Sequence, residues 1–156
     1  ILIGHDKRMP YPRYHCDVEY GHPPQAINLW YTFTKNNQSG FALSNLIDSK
    51  KWYSEYDYNF KKFSEDSWNN DENFVKRGQQ ICKDVVLKDD GLMILFDSRT
   101  IHSSTARHDK TTRVTMDIRI NPVKDFVDGY IGKGRMKAEF KPGGKFGYHK
   151  KSISDI

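Results

Sequence analysis

Residues 26–34 (AINLWYTFT) form a run of β-branched and aromatic side chains. It is closed on one side by Gly21-His22-Pro23-Pro24 and on the other by Lys35-Asn36-Asn37-Gln38-Ser39-Gly40. Such a run fits a strand, and clusters of glycine, proline and asparagine end strands by supplying turn geometry or removing a ladder donor. The same punctuation recurs. A short apolar run occupies 41–47, and Asp89-Asp90-Gly91 turns into Leu92-Met93-Ile94-Leu95-Phe96. Segments 80–88, 101–106 and 112–120 have strand texture, the last two parted by a charged turn at 107–110. Residues 11–20 read as extended, because Pro10 and Pro12 disfavour helix at their start. About seven short strands with turns between them make an antiparallel all-β sandwich or barrel the expected scaffold.

The chain of 156 residues suits one domain, 1–156, with core strands at 11–122, an insertion at 48–77 and a tail at 123–156. Hydrophobic residues are scarce at 37%, but nine Tyr, nine Phe and three Trp can build a core, which argues against disorder. The insertion carries eight aromatics among six basic and seven acidic residues, with no clean helix or strand period. It is expected to be irregular or partly helical, either a lid or an outer layer. Residues 121–156 hold eight basic and four acidic residues and six glycines, so they read as loop-rich. No apolar run is long enough to span a membrane. Two cysteines are too few for a disulfide scaffold and suit a cytoplasmic setting. A formal charge of +5 permits an anionic partner without demanding one. The chain opens on Ile1 rather than Met, and is expected to be a piece of a longer or processed protein.

One His-x-Asp triplet occurs, His15-Cys16-Asp17. On a strand, residues two apart share a face, so the imidazole and the carboxylate would converge while Cys16 points away. A further histidine would complete a two-histidine, one-carboxylate facial set, which leaves three octahedral positions open. His102 is the best candidate, following the apolar strand and the turn Asp97-Ser98-Arg99-Thr100. Arg113 stands eleven residues on, where a hairpin would bring it alongside and let its guanidinium bind a carboxylate. Thr115 shares its face. Each piece alone has a structural reading: a turn or cap for the triplet, a hydrogen-bonded histidine, a solvated arginine. Their order along the chain is much harder to obtain by accident.

The sequence resembles the Fe(II)/2-oxoglutarate-dependent oxygenases, in particular the phytanoyl-CoA dioxygenase-like group. The likeness rests on H-C-D at 15–17, G-L-M-I-L-F-D-S-R-T-I-H at 91–102 and R-V-T at 113–115. It implies a double-stranded β-helix, the jelly-roll of cupins, with the aromatic insertion laid on it. It implies Fe(II) held by His15, Asp17 and His102, and 2-oxoglutarate chelating the metal with its far carboxylate on Arg113. It implies dioxygen as oxidant, with succinate and carbon dioxide released as a small organic substrate is hydroxylated. The carboxylate of Asp17 argues against halogenation, whose practitioners in the family have a small residue there. Relatives carry support elements ahead of the triplet; only fourteen residues precede His15, so such elements are expected to be missing or replaced by a homo-oligomer partner.

Other residues are assigned more loosely. Asn28, Trp30 and Thr32 share one face of the 26–34 strand, and Asn28 or Tyr31 is placed near 2-oxoglutarate by the resemblance. Ser104 could face the same cavity, His22 is expected at the surface or behind the ligands, and Cys82 is expected buried and inert. His108 repeats the eleven-residue spacing with Arg119 but falls in a turn; Arg119, roughly 20 Å along the strand from Arg113, is set apart from the anchor role. Two alternatives stand beside the small-molecule oxygenase. The pair Arg113 and Arg119 is similar to a feature of AlkB-like nucleic-acid dealkylases, although the spacing from His102 is short for them and weighs against nucleic acid. A cupin-like binding module without turnover is the other.

Overall fold

The computed structural model describes residues 13–20, 22, 24–33, 40–87, 92–105 and 114–121. A short 3-10 helix, Asp17–Tyr20, is followed by β1 (Ile27–Thr32), β2 (Phe41–Leu43), α1 (Leu46–Ser54), α2 (Phe60–Asn69) and α3 (Glu72–Ile81). Then come β3 (Lys83–Asp84), β4 (Met93–Asp97), β5 (His102–Ser104) and β6 (Thr115–Ile120). The strands form two antiparallel three-stranded sheets, ordered β4-β1-β6 and β3-β2-β5. This is a mixed α/β architecture, which overturns the expectation of an all-β sandwich, barrel or double-stranded β-helix.

The correction has a local cause in residues 48–77. Each helix there starts on a polar cap: Asn45, Asn59 and Asp71 accept from the backbone N–H of Asp48, Lys62 and Phe74. Such caps satisfy donors that the first turn leaves unpaired. The inward faces carry Trp52, Tyr53, Phe63 and Phe74, but also Ser49, Ser64, Ser67 and Gly78, all buried. Small and polar residues at inward positions flatten the apolar 3.6-residue period on which a helix reading depends. The helices are a full layer of the fold. Their aromatic side chains join Tyr14, Cys16, Ala42, Cys82 and Ile101 in the larger core cluster, between helices and the β3-β2-β5 sheet. Strand texture expected at 80–88 gives way to the end of α3 and the two-residue β3.

The second core lies between the sheets. Trp30 of β1 stacks on Phe41 of β2 with ring centroids 4.9 Å apart, and Phe96 of β4 closes on Phe41 at 5.6 Å. Strand alternation sends Asn28 and Trp30 inward, both buried. The opposite face of this sheet carries Ile27, Leu95, Ile118 and Ile120 in exposed positions. Among the described residues no helix is long and apolar enough to cross a membrane. Both cysteines are free and buried.

Several polar ties join the layers. Ser49 on α1 accepts from the Ile101 backbone N–H at 3.0 Å and donates to the Asn45 carbonyl at 2.8 Å. Tyr53 donates to the Arg99 carbonyl at 2.9 Å, and Ser67 on α2 to the Tyr14 carbonyl at 2.7 Å. The ring of Tyr14 lies directly over Gly78, where a β-carbon would overlap it. These ties fix the two segments that carry the histidines, 13–16 and 100–104.

Candidate metal centre

His15, Asp17 and His102 meet at one end of the space between the sheets, with one ligand atom from each lying within 4.8 Å of the others. The backbone assembles them. His15 and His102 form an antiparallel bridge, and the turn at 97–100 holds Asp17, whose N–H donates to the Ser98 carbonyl at 3.0 Å. Asp97 shapes that turn by accepting from the Arg99 N–H at 2.8 Å. Alternation along β5 turns Ile101 to the helices and His102 to the inter-sheet cluster, 5.0 Å from the Phe96 ring and 5.7 Å from Phe41.

The convergence of His15 and Asp17 does not come from strand alternation. Asp17 opens the 3-10 helix, and only His15 is paired as in a sheet. The chain turns at residue 17 and carries the carboxylate back toward both imidazoles. Cys16 does point the other way, into the helix-facing core.

Both histidines are oriented by the same device. The Nδ1–H of His15 donates to the Arg13 carbonyl, and that of His102 to the Thr100 carbonyl at 2.9 Å. A carbonyl only accepts, so in the neutral ring the proton sits on Nδ1 and Nε2 is the nitrogen that carries the lone pair. Those Nε2 atoms stand 3.9 Å and 3.7 Å from Oδ1 of Asp17. These separations are too long for hydrogen bonds. Two metal bonds of about 2.1 Å each would span them. Among the described residues the buried Oδ1 has no hydrogen-bond partner, an uncommon condition for a carboxylate oxygen.

The electrostatics favour ligand forms. Burial, reinforced by His102, pushes the His15 imidazole down to about 3, so it stays neutral near pH 7. Burial alone would raise the Asp17 carboxyl, but His102 and Arg119 outweigh it and hold the group well below the usual carboxylate range. Asp17 is 1% exposed, and its other oxygen, Oδ2, accepts from Nε of Arg119 at 2.7 Å. His22 is half-buried beside this group; burial and Arg119 push its imidazole down to about 4.

The other expected site residues divide. Asn28 is fully buried, between Phe96 and Arg119 in the sheet register, and neither amide atom has a hydrogen-bond partner among the described residues. Thr115 is half-buried on the Arg119 face of β6, opposite Thr32. Tyr31, paired with Asn28 in the expectation, belongs to the other face, where its ring meets Phe33 at 4.7 Å. Ser104 is half-buried opposite Phe41. Arg113 and the turn at 107–110 lie outside the described residues. Arg119, set apart in the sequence, is the residue that touches the acidic ligand. Its place on the same strand face as Thr115 was the available signal.

No protein-family model, curated protein or solved structure matches the chain.

Proposed function

We propose that the chain holds one Fe(II) ion through His15 Nε2, Asp17 Oδ1 and His102 Nε2, and acts as a 2-oxoglutarate-dependent oxygenase on a small organic substrate. The observation that carries this reading is the buried trio itself: two imidazoles whose Nε2 atoms face a carboxylate oxygen that has no hydrogen-bond partner among the described residues. A two-histidine, one-carboxylate donor set suits ferrous iron and leaves positions open for reactants. The bound ion would supply the redox chemistry with dioxygen and the 2-oxo acid; the protein's part is to bind, orient and exclude water.

The surrounding residues fit that part. Phe41, Phe96 and Trp30 wall the inner side of the trio and keep bulk water away. Asn28 offers an amide donor and an acceptor that no described residue satisfies, as a residue that meets a polar ligand would. In this reading Arg113 binds the far carboxylate of 2-oxoglutarate, and Asn28 and Thr115 contact the cosubstrate or substrate.

Anaerobic addition of Fe(II) and then 2-oxoglutarate tests the proposal. Chelation by the 2-oxo acid is expected to give a visible charge-transfer band that neither component shows alone, with succinate released once air is admitted. Folded protein that takes up the metal but gives neither band nor succinate would leave a metal-binding module without this turnover.

A further inference from the structure

We propose that Arg119 is a positioning residue. By occupying one oxygen of Asp17 it leaves the carboxylate a single oxygen for the metal, and so keeps a coordination position free for a second reactant beside a chelating acid. The inference rests on the metal-centre reading above.

A carboxylate can give a cation one oxygen or both. With two histidines and one oxygen, three of six octahedral positions are filled and three remain. With two oxygens, only two remain. A 2-oxo acid takes two positions by chelation, so the difference decides whether any place is left for a second reactant. In this chain the choice is made by a hydrogen bond. Nε of Arg119 donates to Oδ2 of Asp17 at 2.7 Å, while Oδ1 faces both histidine Nε2 atoms and has no hydrogen-bond partner among the described residues. Bidentate binding would require Oδ2 to give up a charge-assisted bond inside a site that is nearly closed to water.

Arg119 is itself held in place. It sits on β6, which pairs with β1 along Ile27–Thr32, directly opposite buried Asn28. Its Nη2 lies 3.5 Å from Oδ2 of Asp117, on the same strand face two residues earlier. The guanidinium therefore reaches Asp17 from a braced strand rather than from a free loop. Its role acts through Asp17 and needs no contact with the reacting atoms.

Co(II) titration of the full chain, followed by visible absorption, tests this without turnover. In Arg119→Leu, Co(II) affinity is expected to fall by no more than about tenfold, and 2-oxoglutarate, which still finds two positions, to bind the Co(II) form within about fivefold of the parent. Azide, which needs the one position left beside the chelate, should bind the Co(II)–2-oxoglutarate form at least about tenfold more weakly than in the parent. Arg119→Lys, which keeps a charged donor, should recover most of the lost affinity. Arg119→Gln carries the comparison should the leucine variant not fold by near-ultraviolet circular dichroism. Unchanged azide binding to the 2-oxoglutarate form overturns the inference. So does equal weakening of 2-oxoglutarate and azide, which would reduce Arg119 to a nearby charge, or a collapse of Co(II) affinity, which would make it a prop for the whole site. Failure of the parent chain to take up one equivalent of Co(II) would instead remove the metal reading itself.

Discussion

His15 and His102 face each other across a bridge of two backbone hydrogen bonds, the His15 N–H donating to the His102 carbonyl at 3.0 Å and the reverse bond measuring 2.8 Å. Their imidazoles lie on the same side, with ring centroids 4.2 Å apart. Two residues far apart in sequence thus present their side chains as one unit, and Asp17 completes it from the turn that follows.

Removing the shared carboxylate should therefore disable the centre. Asp17→Asn keeps the size of the side chain, removes its charge and leaves Arg119 without its anionic partner. Calorimetric Co(II) affinity is expected to fall by at least about a hundredfold, more than loss of an outer partner usually costs. Near-parental affinity would show that the metal is held elsewhere.

Arg113→Ala separates metal from cosubstrate. The proposed ion pair to the far carboxylate would be lost, so 2-oxoglutarate affinity should drop about tenfold or more while metal affinity changes little. Equal loss of both would give Arg113 a structural role.

Acid should weaken the metal-free fold well above the carboxylate range. Free imidazoles titrate near 6.5, whereas the folded groups resist protonation until about 4 for His22 and about 3 for His15. Between those values the unfolded chain binds more protons, so stability is full above pH 6.5 and declines as pH falls. The expected loss by pH 4.5 is a few kcal/mol, on the order of one per unit of pKa difference. Urea midpoints measured in chelator from pH 7.5 to 4.5 would show it, and His22→Asn should flatten part of the slope. A constant midpoint above pH 5 would contradict the burial of both rings.

Gly78→Ala tests the seat of Tyr14. The added β-carbon would meet the tyrosine ring, which neighbours His15 in the chain and cannot move without shifting that segment. A loss of about 1–3 kcal/mol in urea unfolding is expected from such overpacking. Metal affinity should weaken with it; a stable variant with intact affinity would mean the ring relocates freely.

The strands of the β4-β1-β6 sheet were legible because their residues have one job. Leu29 and Tyr31 alternate with Asn28 and Trp30, and β4 is an apolar run, so pattern and structure agree. The helices were hidden because Ser49, Ser64, Ser67 and Gly78 occupy inward positions where the period calls for bulk. Of their caps, Asn45 fell inside the run read as apolar at 41–47, and Asn59 and Asp71 inside the insertion read as irregular or partly helical. The three candidate ligands could be named from residue type and order, yet the argument from strand alternation does not apply, since Asp17 begins a 3-10 turn. Arg119 was set apart because distance along a strand was measured from Arg113. Contact with a residue from another segment is invisible to that measure.

The carbonyls of Arg13 and Thr100, each two residues ahead of the histidine it tethers, prevent either ring from turning over without breaking a bond. The two Nε2 atoms are thus aimed by folding alone, before any ion arrives. A cup so rigid has little room to adapt its shape to one divalent ion over another, and in a mixed solution copper or zinc would outcompete iron for the same nitrogens. What it carries in a living cell would then be governed by supply.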